Sequence, residues 1–304
     1  MTARALSAIL LLAGALFVSA AQAAVHTLYA ASVRSGLAPD APVAGNLYTV
    51  NLANGTASLV GAIRLPGSRP IGVTGMAVHP STGTLFGITS EQSPNNPRSL
   101  VTLDPATGAA SLIGELGVSG SDIAFDPSGT LYIWLPGTSQ LGTVDLSTAA
   151  VSPIGKAGAA ASPAGIAIDA SGMVYVTARG ATGTLDNVDL KTGGLQRGPQ
   201  ITGAPFESQI NSMSFSPSGL LLAVNSNAGS PANARLVTIN TATGAVSIIG
   251  ALPDDTDALA FTGSGPQFAP TLSTMSPGGR VVIAAISTVL LVLAGMLLLR
   301  NRKQ

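Results

Sequence analysis

Residues 74–116 carry four short apolar runs in succession, at 76–78, 84–89, 100–103 and 110–113. Thr, Val, Ile, Leu and Phe fill the runs, and Pro, Ser, Gly and Asn fill the gaps. Runs bounded by such turn formers read as consecutive antiparallel strands. The group then recurs. Runs at 123–127, 131–135, 141–145 and 151–154 repeat it, and further groups start at Ile166 and Met213. Turn anchors at Pro80, Pro127, Ala170, Pro217 and Gly263 are spaced 47, 43, 47 and 46 residues apart. This period constrains the fold more than any other feature. A four-strand unit of about 45 residues buries its apolar faces only by stacking on its neighbours.

The first and last units are incomplete in complementary ways. Runs at 25–32, 47–51 and 57–63 make three strands, without the first strand of the sister units. Residues 259–261 make a lone first strand with nothing after it. Joined, the two fragments complete one unit, close a ring and remove the open sheet edges. The expectation is an all-β chain folded as a five-bladed β-propeller over residues 25–263, its closing blade shared by both chain ends. The units resemble the broad propeller superfamily with NHL-like and quinoprotein-like repeats. That resemblance implies architecture and little about activity.

The two ends carry different signals. Residues 1–24 read as a signal peptide: Arg4, an apolar run over 5–18, and Ala21-Gln22-Ala23 before the cleavage point. Residues 281–299 are 19 uncharged residues, enough for a transmembrane helix. Arg300, Arg302 and Lys303 follow in the tail 300–304, the cytoplasmic side by the positive-inside rule. The linker 264–280 contains Pro270, Thr271, Leu272 and Ser273. A Pro-Thr-Leu-Ser motif, one spanning helix and terminal basic residues resemble the bacterial IPTL-CTERM sorting domains, relatives of the PEP-CTERM signals. Ala269 stands where that family usually has Ile or Val, and Thr274-Met275 where it has Glu-Trp. The resemblance implies an exosortase-type processing enzyme as a partner. The expected location is the cell envelope, with the propeller on the extracytoplasmic side, periplasmic or at the cell surface, and anchored at least before processing.

Without the five basic residues of the two ends, the middle of the chain holds nine Lys and Arg against 14 Asp and Glu, a net charge of −5. That balance, with no basic stripe, argues against a nucleic-acid partner. There is no Cys, so disulfide and thiolate chemistry are excluded.

Most repeated polar residues read as structural. The third run of each unit ends on Asn51, Asp104, Asp145, Asp189 or Asn240, where Asx side chains cap their own turns. Asp126, Asp169 and His79 belong to first turns in the same way. Tyr29, Phe86, Tyr132, Tyr175 and Leu222 share one register position suited to packing between blades, and Trp134 is read as core.

Candidate ligand-binding residues lie where the innermost strands begin: Thr74, Ser121, Asp122, Asn211 and Asp257. They open on the face that also carries the long, irregular connections, and variable loops on a rigid scaffold are where function concentrates. Carboxylates, an amide and hydroxyls suit Ca²⁺ or a sugar. No metal or other cofactor is implied beyond that possibility of Ca²⁺. Phosphate-cradling, HExxH and GxSxG motifs are absent from the sequence, and no catalytic residue is assigned. The sequence therefore favours an exported, envelope-anchored binding module for a polysaccharide or a surface protein, more readily than an enzyme. The alternative is a metal-assisted hydrolase or lactonase with Asp122, Asn211 and Asp257 as ligands.

Overall fold

A computed structural model describes residues 26–33, 45–68, 70–93, 95–157, 164–177, 183–203, 209–226 and 234–262. The chain divides into two units, Met1–Gly265 and Pro266–Gln304, and the described residues all belong to the first. Residues 1–24, the linker 264–280 with its Pro-Thr-Leu-Ser motif, the apolar run 281–299 and the basic tail lie outside them. Among the described residues no helix is long and apolar enough to cross a membrane.

The described residues form five four-stranded antiparallel sheets. Blade 1 contributes β1 (Thr27–Ser32), β2 (Asn46–Val50) and β3 (Ala57–Ala62). Blade 2 is β4 (Val73–Val78), β5 (Leu85–Thr89), β6 (Ser99–Leu103) and β7 (Ala110–Glu115). Blade 3 is β8 (Ile123–Phe125), β9 (Leu131–Leu135), β10 (Gln140–Val144) and β11 (Val151–Ile154). Blade 4 is β12 (Ile166–Ile168), β13 (Val174–Thr177), β14 (Leu185–Val188) and β15 (Leu195–Gln196). Blade 5 is β16 (Gln209–Phe215), β17 (Leu221–Ser226), β18 (Ala234–Ile239) and β19 (Val246–Leu252). The last strand, β20 (Thr256–Thr262), pairs with β1 and completes blade 1. Leu28 stands opposite Phe261 and Ala30 opposite Leu259 in that pairing. The five-bladed ring and its closure by both chain ends are as the repeat count implied.

Strands β4, β8, β12, β16 and β20 line the centre and contact one another. Apolar side chains alternate across each sheet and meet those of the next blade. The result is five buried clusters, one at each blade boundary. Phe86 of blade 2 meets Phe125 of blade 3 edge-on, with ring centroids 5.4 Å apart. Tyr175 of blade 4 meets Phe215 of blade 5 in the same way. Trp134 is buried between blades 3 and 4 with Tyr132 and Ile166, the packing role expected of it.

The outermost strands add a contact that the strand pattern did not reveal. Gly250 on β19 backs onto the turn of blade 1, and a Cβ there would run into the Asn54 carbonyl oxygen. Gly61 on β3 backs onto Thr107 of blade 2 in the same manner. An apolar residue followed by Gly near the end of the fourth strand is therefore an inter-blade joint.

The turns behave as read. Asn51, Asp104, Asp145, Asp189 and Asn240 each accept the N–H two residues on, at 2.8–2.9 Å. His79 Nδ1 accepts the N–H groups of Ser81 and Thr82. Three strands start earlier than their apolar runs suggest, β4 at Val73, β16 at Gln209 and β20 at Thr256. Polar or small residues ahead of the runs hid those starts, and the central mouth is built from them.

Candidate functional site

Three innermost strands carry a β-bulge near their first residues. Thr74 is the unpaired residue in β4, Asn211 in β16 and Asp257 in β20. A bulge inserts one residue and re-aims its side chain. The three side chains consequently meet at the mouth of the ring. Thr74 Oγ1 donates to Asp257 Oδ2 at 2.7 Å. Asn211 Nδ2 donates to Asp257 Oδ1. Ser121 joins through its backbone, since its carbonyl oxygen lies 3.2 Å from Thr74 Oγ1. Its own hydroxyl donates to the Ala164 carbonyl of blade 4 at 2.8 Å. A belt of hydrogen bonds thus runs from blade 5 through blades 1, 2 and 3 to blade 4.

Asp122 occupies a different layer. It stands one residue further along its strand than Thr74 does on β4, and it is fully buried. Its Oδ2 accepts the N–H groups of Ile166 and Met213, each at 3.0 Å. Its Oδ1 accepts the Ser212 hydroxyl at 3.1 Å, and Ser212 Oγ in turn accepts the Leu259 N–H at 3.0 Å. Backbone N–H groups on the inner edge of a central strand have no further strand to pair with. One carboxylate and one hydroxyl satisfy those of blades 4, 5 and 1. The other positions of this layer are Gly75, Gly165 and Ala258, small enough to leave the centre to Asp122. A Cβ on Gly75 would lie 2.7 Å from Asp122 Cα. Asp122 and Ser212 form a floor beneath the rim of Thr74, Asn211 and Asp257.

The two carboxyls differ electrostatically. Burial pushes the Asp122 carboxyl well above the ordinary carboxylate range, while the N–H groups of Ile166, Met213 and Ile123 and the Ser212 hydroxyl pull it back. Asp257, in a half-buried residue, is pushed up to about 6, first by desolvation and further by the charge of Asp255. Thr74 and Asn211 oppose that shift. Its proton therefore exchanges near neutral pH. The Asn211 amide turns its N–H₂ to the anion, which leaves Asn211 Oδ1 buried without a partner.

Five sequence candidates thus fall into two layers. Thr74, Asn211 and Asp257 are brought together at the rim, Ser121 joins them through its backbone, and Asp122 lies below. Ser212 and the space-making Gly75 and Gly165 were not singled out from sequence. The available signal was a register column of small residues, Gly75, Gly165, Ser212 and Ala258, broken by one acid. Among the described residues no group of three or more His, Asp or Glu is arranged to hold a metal ion.

No family model matches the chain, and no curated protein matches it in sequence. Solved structures resemble it. A chain of the nidogen/laminin complex superimposes with a TM-score of 0.52 at 12% identity, over 79% of this chain and 99% of that one. A Bacteroides caccae protein of unknown function gives 0.48 at 10% identity, over 78% and 98%. TolB from Acinetobacter baumannii gives 0.42 at 15% identity, over 72% of this chain and 51% of that one. The likeness to the nidogen/laminin chain shows the fold alone.

Proposed function

We propose that the protein is an exported, envelope-anchored interaction module whose ligand, a surface protein or a polysaccharide, docks on the mouth face. The observation that carries this reading is the unequal treatment of the two faces. Every connection on the side away from the mouth is a turn of five or six residues. On the mouth side the connections run from three residues, 253–255, to thirteen, 33–45. A scaffold with uniform turns on one face and varied loops on the other presents the second for recognition. The nidogen/laminin structure, a complex between proteins, favours a protein as the occupant. Export and anchoring rest on residues 1–24 and 281–299. Processing by an exosortase-type enzyme at the Pro270–Ser273 motif belongs to the same reading.

Photo-crosslinking in the native cell tests it. A benzophenone amino acid at exposed Gln92, on the mouth side, captures an envelope protein or a polysaccharide. The same group at exposed Ala106, on the short-turn side, does not. Equal capture from both positions, or capture from Ala106 alone, overturns the assignment of the face. The alternative of a metal-assisted hydrolase or lactonase is tested separately by thermal unfolding with and without Ca²⁺. A rise in Tm that Asp257→Ala abolishes would favour it, because a ligand held only by the folded state stabilises that state.

A further inference from the structure

The outermost strands begin on one repeated pattern, and blade 4 departs from it. Ala57-Ser58-Leu59, Ala110-Ser111-Leu112, Val151-Ser152-Pro153 and Val246-Ser247-Ile248 hold the same register against their third strands. In blade 4, Leu195 and Gln196 take the first two places and Arg197 follows in the third. All three are exposed. The preceding turn departs as well. Two residues after the capping Asx, the other blades have Ala53, Ala106, Ser147 and Ala242, and blade 4 has the exposed Lys191. Blade 3 adds a third cation at this edge. Exposed Lys156 follows Gly155, where an added Cβ would lie 2.2 Å from the carbonyl oxygen of Thr192 in that turn.

The departure reaches inward. Asp186 stands where the third strands of the other blades have Tyr48, Val101, Gly142 and Val237. It is buried, and its Oδ1 accepts the Gly198 N–H at 3.1 Å. That bond ties down the backbone next to Arg197, so the guanidinium projects from a fixed strand. The rest of the described chain has three cations, Arg64, Arg98 and Arg235, and the middle of the chain is acidic. Two acids lie beside the cationic edge. Asp186 is buried, and Asp189 Oδ1 accepts the N–H groups of Lys191 and Thr192.

We propose that the outer edge of blade 4, with Lys156 of blade 3, binds an acidic polysaccharide whose sugars carry carboxylates. The Arg197 fork matches a carboxylate in bidentate fashion. Lys191 and Lys156 serve as point charges for other carboxylates of the polymer, and the Gln196 amide both donates to and accepts from sugar hydroxyls. Exposed charges act over about 8 Å at physiological ionic strength. A polymer one sugar wide therefore meets these cations without meeting the acids elsewhere on the molecule. Nucleic acid carries no carboxylate for the Arg197 fork and is repelled by the overall charge. This lateral site is separate from the mouth face and does not depend on it.

Binding of the full chain to immobilised polygalacturonate tests the assignment. Polygalacturonate should retain the protein at low salt, and neutral dextran should not. Lys191→Gln with Arg197→Gln should weaken retention at least about fivefold. Arg64→Gln with Arg98→Gln removes the same charge elsewhere and should change it less than about twofold. Both double variants should melt with the parent, because all four side chains are exposed. Absence of retention on polygalacturonate, or equal losses from the two double variants, overturns the proposal. Retention on phosphatidylglycerol vesicles but not on polygalacturonate, lost in the Lys191→Gln, Arg197→Gln variant, gives the edge to lipid instead.

Discussion

Two aspartates stand one register step apart at the centre of the ring, and they serve opposite ends. Asp122, on the floor, is fully buried and meets only donors, two of them backbone N–H groups of blades 4 and 5. Asp257, on the rim, is half-buried and meets two side chains that are themselves on bulges. The floor acid substitutes for a missing strand, whereas the rim acid sits where loops and solvent begin. Residue type alone does not separate such roles. What separates them is whether the surrounding N–H groups have any other acceptor.

The largest effect that tests the comparison comes from removing what both layers share. Strand β20 carries Asp257 and supplies the Leu259 N–H to Ser212. Deleting Thr256–Thr262 should abolish cooperative thermal unfolding of the full chain, because it opens blade 1 and strips both layers. An unchanged melting curve would refute closure by the chain ends. Next, Asp122→Ala should cost about 3–5 kcal/mol in urea unfolding, as it strands buried donors from two other blades. Asp257→Ala should cost less than about 1 kcal/mol, its lost hydrogen bonds offset by removal of a desolvated charge. Equal losses would erase the distinction between floor and rim. Gly75→Ala should cost about 1–3 kcal/mol by pressing a methyl group on Asp122.

A finer test uses pH. The folded Asp257 carboxyl has its pKa raised from 3.8 to about 6. The folded state therefore holds this proton more tightly than the unfolded state. The stability that the raised value contributes is fully present below pH 3.8 and is lost as pH rises through about 6. Asp257→Asn removes the titration. The new amide also lets Asn211 turn and give its unpartnered Oδ1 a donor. The variant should melt above the parent at pH 7, and the gap should close as pH falls to 4. A gap independent of pH would show that the rim carboxyl does not titrate in this range. The smallest effect belongs to the turns. Asp104→Ala should cost about 1 kcal/mol, the net worth of a single hydrogen bond, and should leave the central layers untouched.

The strand order, the number of blades and the Asx turns were legible because each follows from a local rule repeated five times. Alternation sends successive side chains to the two faces of a blade, and the residue ending the third strand must cap a tight turn. His79 could be assigned to a turn because it aligns with Asp126 and Asp169, and it accepts N–H groups as they do. The rim was legible only in part. Thr74, Asn211 and Asp257 could be placed at strand starts, but bulges have no apolar signature. Their convergence on Asp257 depends on side chains from three blades. The floor was less legible still. Asp122 looked like a partner for Asp257 at one mouth because adjacent residues in sequence do not reveal which of them enters the centre.

By itself, the sequence determined the repeat, and the repeat determined the ring. A unit that cannot bury its own faces must stack, and the three-strand and one-strand fragments must pair. The tertiary structure decided what the central acids do. Whether a carboxylate is a structural tie or a titrating group depends on which backbone donors surround it. Those donors come from Ile166 and Met213, 44 and 91 residues further along the chain. No local pattern encodes that distance. Ring closure places those donors around Asp122.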